Sequence, residues 1–127
     1  MTTVTYTVTS LVAAGTSNTA GSTTRGTVDA RGYLGGTLTV KLTNGGTPPT
    51  IQCSANVMIA HNTGATPTAA SAGTDWKTRA SWGGGTTASA VNEWSMEFGP
   101  TTHIEVEFTG NTGQTVTCEA IYTGWTA

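Results

Sequence analysis

GTLTVKLTNGG, residues 36–46, is the stretch on which the reading of the fold rests. Leu38, Val40 and Leu42 alternate with Thr37, Thr39, Lys41 and Thr43, a repeat of two. That repeat belongs to a β-strand with one face in a core and the other toward water. β-Branched threonine suits the pleated surface and keeps a hydroxyl toward solvent. Asn44-Gly45-Gly46 ends the strand with a strong turn signal. The chain opens on the same alternation, Thr3, Thr5, Thr7 and Thr9 on one side and Val4, Tyr6 and Val8 on the other. Thirty of the 127 residues are threonine, and the pattern is spread along most of the chain.

Working outward, about eight strand-like segments are predicted, over residues 3–12, 26–31, 36–43, 50–60, 74–82, 89–98, 102–109 and 114–123. A small, polar stretch, Ala13 to Thr24, follows the first. Pro48-Pro49 forbids ladder pairing just before the fourth and implies a longer connection than a tight hairpin. His61 to Gly73 reads as the longest loop, Gly83-Gly84-Gly85 as a flexible break, and Gly110-Asn111-Thr112-Gly113 as a tight hairpin connection. No segment carries a helical stripe of useful length. The expected fold is therefore all-β: one antiparallel β-sandwich or jelly roll spanning residues 1–127. Its core is expected from Leu38, Val40, Leu42, Ile51, Val57, Ile59, Trp94, Met96, Phe98, Ile104, Val106, Phe108, Val116 and Tyr122.

Charge is sparse: five basic and seven acidic side chains, net −2. A nucleic-acid binder needs clustered Lys and Arg to displace phosphate counterions, and Arg25, Arg31, Lys41, Lys77 and Arg79 are scattered. A partner would instead be held by shape, apolar area and hydrogen bonds. No apolar run has the length of a membrane helix, and MTTVTYTVTS lacks the basic start and continuous apolar core of a signal peptide. The expectation is a chain made in a cytoplasm, and kept there or released by lysis. Cys53 and Cys118 each sit in an apolar alternation. They read as buried thiols; the alternative is one disulfide pinning adjacent core strands, which requires Cα atoms within ~7 Å. Neither has a second ligand at zinc-binding spacing.

The remaining constellations are weak as chemistry. His103, Glu105 and Glu107 share a strand face, where successive residues lie nearly 7 Å apart, and read as a solvated polar face. Were the fifth and sixth strands to pair, Lys77 and Arg79 would lie opposite Glu93 and Glu97. No pair of carboxylates is singled out for glycosidase work, no nucleophile elbow is present, and Gly83–Gly85 lacks the helix and lysine of a phosphate loop. Trp94 alternates with Met96 and Phe98 and is assigned to the core. Trp76 and Trp82, flanking a strand expected to hold Trp76, Thr78, Ala80 and Trp82 on one side, are candidates for partial exposure. They would serve as a sugar-stacking platform or an interface. Trp125 is expected to pack on the domain or on a neighbouring subunit.

The stretch RGYLGGTLTVKLTNGGTPPTIQCSANVMIAHN, residues 31–62, and the stretch EWSMEFGPTTHIEVEFTGNTGQTVTCEAIYTG, residues 93–124, together resemble small β-sandwich virion proteins of tailed bacteriophages. These occur as head decoration (cement) proteins and as collar or fibre components. The resemblance implies a non-enzymatic protein that sits on the assembled head, bridges capsomers and resists the pressure of packaged DNA. Its implied partners are the major capsid protein and copies of itself, with no cofactor, metal, nucleic acid or membrane. It would be made in the bacterial cytoplasm and found in the virion. Residues 1–24 are then a candidate arm for contacts between subunits, and Thr3, Thr5, Thr7, Trp76, Trp82 and Trp125 the candidate interface or ligand residues. The alternative within the same resemblance is a collar, tail or fibre component with a receptor- or carbohydrate-binding role. A hydrolase would have to work through Glu93, Glu97, Glu105 or Glu107.

Overall fold

A computed structural model describes residues 3–64, 67 and 75–127; most of the loop expected over His61–Gly73, together with Thr74, lies outside the described residues. Within them the chain forms eight strands and no helix: β1 (Thr5–Asn18), β2 (Thr24–Asp29), β3 (Gly35–Asn44), β4 (Ser54–Ala60), β5 (Trp76–Gly83), β6 (Val91–Phe98), β7 (His103–Thr109) and β8 (Val116–Thr126). Their pairing is nested. β1 pairs with β8, β2 with β7, β3 with β6 and β4 with β5, all antiparallel. Further ladders, β3 with β8 and β4 with β7, complete two four-stranded sheets ordered β1-β8-β3-β6 and β2-β7-β4-β5. A long antiparallel hairpin, rolled so that successive strand pairs alternate between sheets, gives this order. It is the expected β-sandwich in its jelly-roll form.

The inward alternation of β3 and β8 meets that of β4 and β7. Leu38, Val40, Leu42, Val116, Ala120 and Tyr122 pack against Ala55, Val57, Ile104, Val106 and Phe108, all buried. Each of the larger side chains contributes about 1.5–3 kcal/mol by leaving water. The tightest packing is aromatic. Tyr122 lies 6.0 Å from Tyr33 and 6.4 Å from Phe98 between ring centroids. A Cβ on Gly36 would fall 2.3 Å from the Tyr122 ring, and one on Gly124 would fall 2.6 Å from that of Tyr33. These two glycines are therefore demanded by the rings above them.

Four expectations are corrected. The first strand does not end at Val12; it runs to Asn18 through irregularities at Ser10/Val12 and Val12/Thr16. The extra residue at Leu11 shifts parity, so Val12 turns inward opposite Ala120, while Thr9 lies opposite the buried Tyr122 and Tyr6 opposite Trp125. Over Thr5–Thr9 the threonines therefore take the core-side face, and Tyr6 and Val8 the outer one. Ile51 is 61% exposed rather than core, because only a single bridge to Thr112 precedes the start of β4 at Ser54. Lys77 and Arg79 do not face Glu93 and Glu97: β5 and β6 belong to different sheets, and Glu93 lies opposite Lys41.

One end of the sandwich is closed by two wholly buried asparagines that the strand pattern does not announce. Asn18 donates from Nδ2 to Oδ1 of Asn111 at 2.6 Å, and Asn111 Nδ2 donates to the carbonyls of Asn18 and Gln114. Thr24 donates its hydroxyl to Oδ1 of Asn18. The network ties the β1–β2 connection to the β7–β8 connection. Asn111→Ala is expected to destabilise the fold by about 2–4 kcal/mol in chemical denaturation, because it removes the acceptor of one N–H of the Asn18 amide and the side-chain donor to two backbone carbonyls at a largely buried site.

Candidate interaction surface

The outer face of the β1-β8-β3-β6 sheet follows from the alternation that built the core. Thr37, Thr39, Lys41 and Thr43 stand outward on β3, with Thr117, Glu119, Ile121, Thr123 and Trp125 beside them on β8. β6 contributes Glu93, Ser95 and Glu97. Lys41 lies in register between Glu93 on one side and Glu119 on the other, so the cation is flanked by two carboxylates. Thr39 and Ser95 share a hydroxyl hydrogen bond of 2.8 Å. At one end the surface becomes apolar: Tyr6 and Val8 are 67% and 64% exposed, with Val4 ahead of them and Leu34 nearby. Trp125, Leu34 and Phe98 line a groove of about 410 Å³ there.

The residues singled out from sequence fall in different places. Thr3, Thr5 and Thr7 are exposed at the start of the chain. Trp125 is half-buried and is held by its own domain: it pairs with Gly35, and its carbonyl accepts the Leu34 N–H at 2.9 Å. Trp76 and Trp82 do not share a face. Thr78 pairs with Met58 but Ala80 with Val57, so Arg79 is an extra residue that flips the parity of β5. Trp82 points inward and stacks on Trp94, with centroids 5.4 Å apart and planes within 5°. Trp76 turns to the outside of its sheet but is buried there with Ala60 and Met58, rather than partly exposed. Cys53, just ahead of β4, and Cys118, on β8, are free, buried thiols that interact in the core. That interaction, together with burial, pushes the Cys118 thiol well above its usual range.

The outer face of β7 is not solvated as expected. His103 and Glu105 are each only 3% exposed. They belong to the middle of their sheet, between Asp29, Thr27 and Arg25 of β2 and Ala60, Met58 and Asn56 of β4. Arg25 bonds Glu107 at 2.8 Å and reaches Glu105 only at 3.8 Å; His103 lies 3.7 Å from Asp29. Nδ1 of His103 and Oε2 of Glu105 have no hydrogen-bond partner among the described residues. Burial lifts the Glu105 carboxyl to about 7, against the opposing pull of Arg25 and with a further push from Glu107. Asp29 is held at about 2, chiefly by the Arg31 guanidinium hydrogen-bonded to it. This burial leaves no trace in the pattern of residues, because a charged alternation on a strand looks the same whether or not its outer face is covered. No group of three or more His, Cys, Asp and Glu among the described residues is placed to hold a metal ion.

No protein-family model matches the chain, and no curated protein matches it in sequence. Solved structures do match in fold. The chain is similar to the SPBc2 prophage-derived protein YomS, with 14% identity, coverage of 99% of this chain and 97% of that one, and a TM-score of 0.50. It is similar to the K3 cleaved adhesin domain of Lys-gingipain from Porphyromonas gingivalis W83, at 10% identity, 84% and 71% coverage and a TM-score of 0.61. A third likeness is to a chain of the T13 particle of infectious bursal disease virus, at 9% identity and a TM-score of 0.53. There 95% of this chain matches 31% of a much longer one. At these identities the likeness is one of fold: the same two-sheet β architecture occurs in a prophage-derived protein, in an adhesin domain and in a virus particle.

The two shifted carboxylates act in opposite directions on stability. Glu105 holds its proton in the fold up to about pH 7 but loses it above 4.5 when unfolded, so stability falls as pH rises through that window. Asp29 stabilises the fold above its ordinary 3.8, and this contribution is lost as pH falls toward 2. The thermal midpoint is expected to be higher near pH 5 than near pH 8. Glu105→Gln should remove most of that difference, adding about 1–3 kcal/mol at the higher pH.

Proposed function

We propose that this chain is a non-enzymatic structural protein of a tailed-bacteriophage virion, of the decoration type, which binds the assembled head and stabilises it by bridging capsomers. The observation that carries the reading is the outer face of the β1-β8-β3-β6 sheet: broad, rich in hydroxyls, with Lys41 set between Glu93 and Glu119 in the ladder. Such a face is wetted when free, yet its hydroxyls can be pressed against a partner at lower cost than charged side chains. A free-standing soluble protein carries a denser mix of charges. The resemblance of residues 31–62 and 93–124 to phage virion proteins supports the same reading, as does the likeness in fold to a prophage-derived protein and to a virus-particle chain. The partners are the major capsid protein and copies of this chain, the place is the virion, and the role requires no cofactor.

A collar, tail or fibre component with a receptor- or carbohydrate-binding role is the second reading. It draws on the likeness to an adhesin domain. The placement of the tryptophans weakens its sugar-stacking form, since Trp76 is buried and one face of Trp82 is covered by Trp94. Mixing the purified chain with expanded empty heads of the phage that encodes it separates the two. The decoration reading expects co-sedimentation, saturation at a copy number that tracks the capsomers, and a higher temperature of head disruption. Copies that track only the tail symmetry, with no gain in head stability, would replace it with the second reading.

A further inference from the structure

We infer that β1 is an assembly edge: its segment Thr5–Ser10 pairs antiparallel with the same segment of a second copy about a two-fold axis, fusing two four-stranded sheets into one continuous sheet. The inference stands on the edge strands and does not depend on the virion reading.

Among the described residues the two sheets end in four strands, β1 and β6 in one, β2 and β5 in the other. An edge strand presents unpaired N–H and C=O groups to any passing strand. Proteins blunt such edges with charge, proline, shortness or bulges. β2 is only six residues long and carries Arg25 and Asp29. β5 carries exposed Lys77 and Arg79 and the irregularity at Arg79. β6 points Glu93 and Glu97 outward. β1 has fourteen residues with no charged side chain and no proline, and its irregularities begin only after Ser10. Thr5–Ser10 is thus a regular ladder on its β8 side with a bare edge on the other.

The exposure of this segment agrees. Val4, Tyr6 and Val8 are 44%, 67% and 64% exposed on the outer face, and Thr5 and Thr7 are exposed on the face below. From Thr5 to Val8 neither side of the strand is covered by its own domain; Thr9 is half-buried beside Tyr122. A second copy fits because the sequence is self-complementary across a dyad at Thr7: Tyr6 then faces Val8 of the other copy twice, and Thr5 faces Thr9. Aromatic and β-branched residues make favourable cross-strand pairs, and no charge is desolvated. Pairing with β6 of a neighbour would instead set Tyr6 and Val8 beside Glu93 and Glu97, and such a head-to-tail contact closes on itself only at special rotations. A six-residue ladder buries less than the ~800 Å² per partner of a standard interface, so the pairing is weak and reversible in solution.

Sedimentation velocity across a concentration series tests this on the full chain. Wild type should show a monomer–dimer equilibrium. Val8→Lys should weaken it by about tenfold or more, whereas Val91→Lys, at a 59% exposed valine on β6, should leave it unchanged. Both sites are exposed, and circular dichroism would confirm that each variant stays folded. Amide exchange adds a second measurement: protection of residues 5–10 should grow with protein concentration. A chain that is monomeric at every concentration, an assembly broken by Val91→Lys but not by Val8→Lys, or protection of residues 5–10 gained only when capsid protein is added would each overturn the inference.

Discussion

The return of β8 to lie between β1 and β3 is the pairing on which the rest of the molecule depends. Each inner pair, β2 with β7, β3 with β6 and β4 with β5, is enclosed by it. β8 also carries Val116, Ala120 and Tyr122 into the core, and Tyr122 is the ring that excludes any side chain from Gly36. Among the described residues β1 has no other strand to pair with in its sheet. The first and last strands therefore hold each other in place, across nearly the whole length of the chain. Long-range closure of this kind is slow, because loop entropy is spent before distant contacts repay it. Until Val116–Thr126 is available, the threonine-rich opening segment has no sheet to join.

Much of this was legible because a repeat of two is the direct trace of a half-buried strand. β3 is the clearest case, with Leu38, Val40 and Leu42 inward and the threonines outward as read. Legibility failed wherever one residue was inserted into a ladder. Leu11 reverses the faces of the first strand, and Arg79 sends Trp76 and Trp82 to opposite sides of theirs. A bulge leaves no mark in composition, since its residue is set by the partner strand rather than by its neighbours in sequence. Burial of a polar face was equally silent. His103 and Glu105 alternate with Ile104 and Val106 like any solvated edge, and only the neighbouring strands show that both are enclosed. The Asn18–Asn111 pair joins residues far apart in sequence, and either alone reads as a turn residue.

The candidate surface was legible as chemistry but not as geometry. Threonine content foretold faces of low charge. Which strand would be left bare could be known only from the sheet order, since it depends on who the neighbours are. Of the four edges, three carry the charges or irregularity that discourage pairing, and the fourth carries neither over its first half. The sparse charge of the chain is thus distributed with a bias: six of the twelve charged side chains sit on the other three edge strands and none on β1.

The antiparallel run of β1 beside β8 also has a mechanical meaning. Thr5 is paired with Thr126, so the two ends of the sandwich strands meet at one corner. Tension applied between them opens the ladder one rung at a time, the way a zipper parts under a small force. Tension applied between that corner and the opposite end, where Asn18 and Asn111 are locked together, must instead slide many rungs at once. The same molecule is therefore soft along one line of pull and stiff along another, and the corner from which it is tethered decides which is felt.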